Sequence, residues 1–351
     1  MAKIDDVAKV AGVSKSTVSN VFSEKRPISK EVKERVLRIA KDLNYKPNYW
    51  ARSLVVKETR IIGLNMEAEK VKFSQFHLSL LNGVLSECYN QGYRLLVNTL
   101  SDDYKNQVEF QTSDPIDGEI LLDPQVNDRR VEERLNSKTP FVVIGKPPKR
   151  YEDKLSYVDN NNVSAAELLT KHLISKGHEN ILFLNAPKFR TVSKDRELGY
   201  INALEDSGIK VNPNFIINKD KQSTSIEFGY KKVKQVLSEH LTVSAVITDN
   251  DKVALGAYRA AAEEGHSIPQ DLSIVSFSDE TIYPAEFSPP LTSVRLNGEQ
   301  LGVEAAKLLI EQLQTKDFYV KRVFVPTDFV ERGSCEQFAI NTYIKEGNHA
   351  F

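Results

Sequence analysis

Between residues 61 and 290, short apolar runs alternate with longer amphipathic segments, and this alternation restricts the fold more than any other feature of the chain. Strands that alternate with helices predict βαβ units, whose parallel strands are covered by helices on both faces. The runs lie at 61–64, 94–98, 119–122, 141–144, 181–184, 215–217, 245–248 and 272–277, and helices fit 76–91, 161–176, 194–207, 225–239 and 251–264. We therefore predict an α/β fold with a doubly wound parallel sheet.

The pattern occurs twice, because the runs at 61–64 and 181–184 each lead into a long helix. Two similar lobes with a cleft between them are the natural interpretation. After residue 290 the sequence predicts one more helix, at 297–314, and two more strands that can cross back between the lobes. The predicted N-terminal lobe is 61–159 plus 291–323, the predicted C-terminal lobe is 160–290 plus 324–340, and 341–351 form a tail.

The first 45 residues instead have the periodicity of three short helices. Gly12 ends the first helix, and Ser14 and Ser29 are good N-caps for the second and third because a hydroxyl can accept from a free backbone N–H. The predicted apolar stripe of the first helix is Val7, Ala8, Val10 and Ala11. We predict an all-α head over residues 1–46, followed by a connector over 47–60.

Charge is distributed unevenly along the chain. Residues 1–60 contain 14 Lys and Arg against 7 Asp and Glu, a local charge of +7, whereas the remainder contains 33 against 41, a charge of −8. A basic head on an acidic body suits a protein whose head approaches phosphate groups.

Other features restrict the location and chemistry of the protein. No apolar run is long enough to span a bilayer, and Asp5, Asp6 and Lys9 interrupt the N-terminal segment where a signal peptide would need an apolar stretch. The cysteines, Cys88 and Cys335, are far apart and lack metal-ligand spacing. We therefore expect a cytoplasmic protein with no cofactor, no metal and no membrane partner.

The head contains a helix, a tight glycine turn and a second, capped helix. Small polar residues lie on the exposed side of the second helix: Lys15, Ser16, Thr17, Ser19 and Asn20. Small hydroxyl groups allow a helix to lie deep in the major groove, where Lys and Asn can reach base edges. The alternative is an ordinary three-helix bundle with a solvated polar face. The pattern favours a helix-turn-helix that binds double-stranded DNA.

Residues 3–60 resemble the lactose/galactose repressor (LacI/GalR) family of transcriptional regulators. Three separate segments match in order and spacing: Asp6 to Ser19, Val36 to the Leu43-Asn44-Tyr45 triplet, and Pro47-Asn48 followed by Ala51, Arg52, Ser53 and Leu54. The resemblance implies that Lys15, Ser16 and Asn20 select bases. Thr17, Ser19 and Ser29 are better placed for phosphates, which hold register without reading sequence.

The connector resembles the hinge of this family, which implies that Asn48, Ala51 and Leu54 lie at the operator. Leu54 stands at the position of a leucine that enters the minor groove and kinks the duplex. The head also departs from the family, because Asn20 stands where an arginine is common. Arginine prefers guanine and asparagine prefers adenine, so we expect the operator to differ at that base pair.

The body resembles the family's core, which is similar to periplasmic sugar-binding proteins. Matching segments include 158–160, 172–174, 199–200, 248–251 and 290–292. Ligands of open α/β sheets bind beyond the carboxyl ends of strands. Residues near such points, together with an aromatic ring that could stack on a sugar, form the predicted effector site: Phe76, Lys146, Asp159, Asn160, Arg196, Asn250 and Asp279. We predict a small-molecule effector, and the resemblance indicates a sugar or sugar phosphate.

The predicted pocket also departs from the family. Ser278 stands where many members have a sugar-binding aspartate, and Leu296 stands where many have glutamine. The segments 145–147 and 159–161 look like those of maltose-type repressors of Gram-positive bacteria. The identity of the effector therefore stays open.

The alternatives to a regulator are an enzyme on a doubly wound fold and an extracytoplasmic solute-binding protein. Against the enzyme, the sequence has no phosphate-binding loop, no dinucleotide-binding glycine motif, no zinc motif and no nucleophile elbow. An extracytoplasmic solute-binding protein would need a signal peptide and has no use for a basic head. The sequence thus predicts a DNA-binding regulator, most simply a repressor, which acts as a homodimer because a palindromic operator mirrors a two-fold protein.

Overall fold

The computed structural model describes residues 2–23, 26–46, 53, 58–66, 73–99, 115–137, 139–239, 242–278, 283–315 and 319–338. They belong to two compact units. The smaller unit contains the described residues of 1–61 and 114–117, and the larger contains those of 62–113 and 118–351. Asn48, Ala51, Leu54 and Asp279 lie outside the described residues.

The N-terminal head is built from α1 (Ile4–Ala11), α2 (Lys15–Ser23) and α3 (Lys30–Asp42). Its core contains small and β-branched side chains from all three helices: Val7, Ala8, Ala11, Val18, Val21, Val36 and Ala40. The prediction that Val10 faces this core is wrong, because its side chain is 60% exposed. Val7, Ala8 and Ala11 alone form the buried stripe of α1.

The turn between α1 and α2 depends on Gly12, which has a φ of +64°. A residue with a side chain is strained in this left-handed conformation, whereas glycine adopts it readily. The N–H of Gly12 points back to the Ala8 and Lys9 carbonyls and closes α1. The turn therefore brings α2 against α1 over a short loop.

The larger unit contains two parallel-sheet lobes, as predicted. Its elements, in chain order, are β1 (Ile61–Met66), α4 (Gln75–Asn90), β2 (Arg94–Thr99), β3 (Gly118–Leu122), α5 (Arg129–Ser137), β4 (Phe141–Ile144), β5 (Tyr157–Asn160), α6 (Asn162–Ser175), β6 (Ile181–Asn185), α7 (Thr191–Asp206), β7 (Ile216–Asn218), α8 (Ser225–Ser238), β8 (Ala245–Thr248), α9 (Asp251–Glu263), β9 (Ser273–Ser278), α10 (Tyr283–Glu286), β10 (Thr292–Arg295), α11 (Gly298–Thr315), β11 (Arg322–Val325) and β12 (Asp328–Val330).

The N-terminal lobe has the strand order β11-β5-β4-β3-β1-β2, and the C-terminal lobe has the order β12-β10-β9-β8-β6-β7. The central strands are buried throughout, which explains their continuous apolar sequence. β12 pairs with β10 in the antiparallel direction. The carboxyl ends of the parallel strands, where ligands bind in such sheets, form one edge of each lobe.

The chain crosses between the lobes three times, and all three crossings differ from the predicted boundaries. β5 extends to Asn160, so the first crossing follows residue 160 rather than 159. β10 pairs in register with β9, so the C-terminal lobe extends to Arg295 rather than to residue 290. β11 pairs along its length with β5, so the next crossing follows Val325 rather than residue 323. β10 lies outside the predicted apolar runs, because Thr292, Ser293 and Arg295 are polar and the strand begins two residues after Pro290.

Candidate DNA-reading helix and effector cleft

Helix α2 contains five of the nine predicted DNA-binding residues. Successive residues of a helix are turned by about 100°, and Val18 and Val21 are buried. Ser16, Ser19 and Asn20 are therefore turned away from the buried face, and Lys15 and Thr17 lie on its two sides. Lys15 and Ser16 are exposed, whereas Thr17, Ser19 and Asn20 are half-buried.

Hydroxyl groups close the first turn of α2. The Ser14 Oγ accepts from the Thr17 backbone N–H at 3.1 Å, as expected of an N-cap. It also lies 2.7 Å from the Ser16 Oγ and 2.9 Å from the Thr17 Oγ1. Ser29 occupies the N-cap position of α3 and is exposed, but its side chain makes no cap hydrogen bond, contrary to the prediction. This hydroxyl is accessible to a phosphate group.

The two lobes contact each other along a seam next to the carboxyl ends of β3 and β6. The Val126 N–H donates to the Phe189 carbonyl at 2.8 Å, and the Thr191 N–H donates to the Pro124 carbonyl at 3.1 Å. The Arg190 Nη1 lies 2.9 Å from the Asp123 carboxylate and also donates to the Asp123 carbonyl. Backbone and charged contacts thus border the cleft on this side.

Arg196 is the best-defined predicted residue of the cleft. It lies on α7 and is buried, with its Nε 3.0 Å from the Asn162 Oδ1 and its Nη1 2.7 Å from the Asp249 Oδ1. The guanidinium lies over the Phe277 ring at 3.9 Å from the centroid. Within the described residues its Nη2 has no hydrogen-bond partner. A planar group held on three sides can offer this remaining edge to a ligand.

A carboxyl group from each lobe lies near Arg196. Asp159, at the end of β5, is buried and accepts from the Asn162 Nδ2 at 3.2 Å. Burial raises the Asp159 pKa to about 7; the Asp195 charge acts in the same direction and Arg196 opposes it. Burial also raises the pKa of Asp195, although Lys146 lies 3.5 Å away in the other lobe. The interior of the cleft therefore combines hydrogen-bond acceptors with two cations.

Asn160 and Asn250 have structural partners. The Asn160 Nδ2 donates to the Leu296 and Val325 carbonyls at 3.0 Å each, which ties together the three crossings between the lobes. The Asn250 Oδ1 accepts from two backbone N–H groups at the start of α9. The Asn250 Nδ2 donates to Asp249. Within the described residues, the side-chain amides of Asn160 and Asn250 thus make most of their hydrogen bonds inside the protein.

Phe76 packs against the cores of both lobes, so its ring lies where they meet. The neighbouring His77 was not predicted as a site residue. Its Nε2 lies 3.0 Å from the Asp123 carboxylate and its Nδ1 lies 2.7 Å from the Ser74 Oγ. Burial, followed by the charges of Arg190 and Lys252, lowers the His77 pKa to about 4. We infer that neutral His77 donates from Nε2 to Asp123.

Asn218, at the end of β7, was also missed. Its Nδ2 donates to the Ala186 carbonyl at 2.8 Å and to the Ser193 Oγ at 3.1 Å. Its Oδ1 is buried and has no partner in the part of the chain that the structure describes. Asn218 and Asp123 each directly follow a predicted strand, so the rule that located Asn250 would have found them. His77 and Arg190 carry no comparable sequence signal.

The described residues contain neither a candidate metal site nor a candidate membrane span. Within the described ranges, no cluster of His, Cys, Asp and Glu has an arrangement that could hold a metal ion. No helix among these same residues is sufficiently long and apolar to traverse a bilayer. Cys88 and Cys335 are both buried as free thiols, and burial raises the pKa of each.

Comparison with known proteins relates both parts of the chain to one family. Residues 3–48 match the bacterial regulatory proteins of the lacI family, and residues 170–335 match a periplasmic binding protein-like domain. The HTH-type transcriptional repressor PurR of Mannheimia succiniciproducens is 32% identical over 97% of this chain and 100% of its own length. PurR of Pasteurella multocida is 32% identical over 90% of this chain and 93% of its own.

Solved structures show the same architecture. The complex of the transcriptional regulator CelR with cellobiose is 25% identical, with a TM-score of 0.73 over 95% of this chain and 100% of that one. The lac repressor dimer bound to operator and the anti-inducer ONPF is 24% identical, with a TM-score of 0.80 over 95% and 99% of the two chains. The second likeness is one of fold.

A helix-turn-helix head followed by a two-lobed ligand-binding domain defines a class of DNA-binding regulators with an effector site. The chain belongs to the lacI family of bacterial regulatory proteins, as its sequence resemblance indicated. It is a DNA-binding transcriptional repressor with an effector-binding domain, and it is not an enzyme.

Proposed function

We propose that the repressor binds a palindromic operator as a cytoplasmic homodimer and that a sugar or sugar phosphate in the cleft controls this binding. Residues 1–46 form the reading head and 47–60 the hinge. The DNA contacts come from Lys15, Ser16, Thr17, Ser19, Asn20, Ser29, Asn48, Ala51 and Leu54. The effector contacts come from Phe76, Lys146, Asp159, Asn160, Arg196, Asn250 and Asp279.

The environment of Arg196 is the observation that best supports the proposed effector site. A buried guanidinium between Asn162, Asp249 and the Phe277 ring has its position fixed before a ligand arrives. A fixed planar donor loses little freedom when it binds vicinal hydroxyl groups or an anion. The binding of cellobiose by CelR, a relative of the same architecture, supports a sugar for this chain.

The surrounding groups suit a polyhydroxyl ligand. Carboxylates of Asp159 and Asp195 accept hydrogen bonds from hydroxyl groups, whereas Lys146 can donate to a ring oxygen or a phosphate. Phe76 can contact an apolar sugar face from the point where the lobes meet. A ligand that bridges these residues favours one arrangement of the lobes over another, and this differential affinity is what can control operator binding.

A thermal-shift screen of mono- and disaccharides and their phosphates tests the effector class and site together. We expect at least one compound to raise the melting temperature of the parent protein. Arg196→Lys should abolish most of that shift, because lysine keeps the charge but loses the planar fork and the stacking on Phe277. The matched control is Arg259→Lys on the exposed surface of α9.

Two outcomes of the screen contradict the proposal in different ways. If no sugar or sugar phosphate stabilises the parent, the effector belongs to another chemical class. If Arg196→Lys and Arg259→Lys both respond as the parent does, the effector binds elsewhere.

A further inference from the structure

An ion pair joins helix α1 to the first residue of the reading helix. The Lys15 Nζ contacts the Asp5 carboxylate, and both side chains are at least half exposed. Lys15 is the first residue of α2, where residues of a recognition helix reach base edges. Asp5 therefore places a negative charge beside the helix that the proposed function assigns to DNA.

The carboxylate of Asp5 does not cap α1. Its neighbour Asp6 accepts from the Lys3 backbone N–H at 2.8 Å and so closes the first turn of α1. Asp5 and Asp6 both place a negative charge at the positive end of the helix dipole. Within the described residues, Lys15 is the one partner of Asp5. Asp5 thus has a contact to the reading helix and no capping role.

A carboxylate in this position has two physical effects on DNA binding. First, a lysine side chain is long and flexible, and a fixed partner at one side restricts where its ammonium group lies. Second, non-specific binding depends on the attraction of cations to phosphates, and a carboxylate beside Lys15 weakens it. The first effect favours one base contact in the operator, whereas the second lowers the affinity for all sequences.

We propose that Asp5 is a specificity-determining residue of the repressor, which acts by positioning Lys15. The inference rests on the proposed function, because it assumes that α2 reads bases. It extends the reading site from α2 to α1. It also predicts that the base preference at one operator position depends on a residue that does not itself need to contact that base.

The test begins with operator selection from randomised duplex DNA by the full-length parent protein. Affinities for the selected operator and for a scrambled duplex are then measured at several salt concentrations for the parent, Asp5→Asn, Lys15→Gln and the double variant. Asp42→Asn at the end of α3 removes the same charge from an exposed site outside the pair. It serves as the matched control.

We expect Asp5→Asn to lower the ratio of operator to scrambled affinity by about tenfold, the size of one base contact. Its affinity for scrambled DNA should be higher than that of the parent. This affinity should also decrease more steeply as the salt concentration increases. Repeated selection should show altered preference at the base pair that Lys15→Gln also alters. In the Lys15→Gln background, Asp5→Asn should no longer change the base preference.

Three results separate the possible failures. If the parent selects no sequence, the proposed function fails before Asp5 is tested. If Asp5→Asn and Asp42→Asn change the affinity ratio equally, net charge explains the effect and the inference is overturned. The inference is also overturned if Asp5→Asn melts at a lower temperature than the parent but keeps the parent's base preference. A purely structural role of Asp5 would have this result.

Discussion

At the residue scale, the cleft contains charges that the fold holds out of water. Burying a charge is unfavourable unless it is paired, and Arg196 meets this condition through Asp249. Asp159 meets it less well, because its nearby charges include Asp195 as well as Arg196. Buried ionisable groups whose charge is not fully compensated by neighbours are more typical of binding sites than of hydrophobic cores.

Asp159 makes the stability of the free protein depend on pH. Its pKa rises from the ordinary value of 3.8 to about 7 on folding, so the folded state binds the proton more tightly. Stability therefore falls as the pH rises from about 4 to 7. Asp159→Asn should remove this slope and increase the free energy of unfolding at pH 8 by about 2–4 kcal/mol.

Urea unfolding followed by circular dichroism at pH 5 and pH 8 measures this effect. The control is Asp153→Asn, since the Asp153 side chain is 88% exposed. If Asp159→Asn and the parent lose the same free energy of unfolding between these two pH values, the buried carboxyl is not protonated as described.

The sequence indicates candidate residues for the effector site but not the contacts that these residues make in the fold. Arg196 follows a strand and has the chemistry of a ligand-binding group, and both features can be read from sequence. Its partners Asn162, Asp249 and Phe277 come from three distant segments, and their convergence follows only from the fold. Asn160 likewise follows a strand, but its amide group joins the crossings between the lobes.

At the element scale, closely packed helix pairs cover the sheets. In the pair α8 and α9, Gly229 and Gly256 let the backbones approach each other directly. A Cβ atom on Gly256 would lie 2.1 Å from the Ile226 carbonyl oxygen and 2.6 Å from the Tyr230 nitrogen. The helices must therefore separate to accept any side chain at this position.

Gly256→Ala should destabilise the C-terminal lobe by about 1–3 kcal/mol, the usual cost of overpacking. This outcome opposes helix propensity, which favours alanine over glycine. Ala262→Ser, at an exposed position of the same helix, adds one heavy atom without a clash. A Gly256→Ala variant with an unchanged or higher melting temperature would contradict the close packing of α8 and α9.

Elements with a strong apolar pattern are predicted well even when they are short, as β4 and β8 show, whereas features without such a pattern are not. The helices and most strands of the two sheets follow from alternation and amphipathic spacing. Val10 was assigned to the core of the head because α1 is short, and eight residues do not distinguish the edge of an apolar stripe from its centre. β10 lies outside the predicted apolar runs because most of its residues are polar.

At the scale of the whole molecule, the effector-binding domain is two sheets joined by three crossings. The Asn160 side chain bonds to the other two crossing segments, and Asp123 and Arg190 join the lobes across the seam. Domain hinges are usually a few residues at the ends of elements, and the crossing segments are such residues. The number of lobes was predictable from the repeated pattern, whereas the residues that connect them were not.

The proposed function requires that a ligand in the cleft changes the affinity of the head for its operator. The most direct measurement is the fluorescence anisotropy of labelled operator titrated with full-length protein, with and without a sugar identified by thermal shift, and with a scrambled duplex alongside. The account predicts that the sugar changes operator affinity by about 5- to 150-fold and leaves scrambled binding unchanged. A sugar that binds but leaves operator affinity within twofold, or equal affinity for both duplexes, contradicts it.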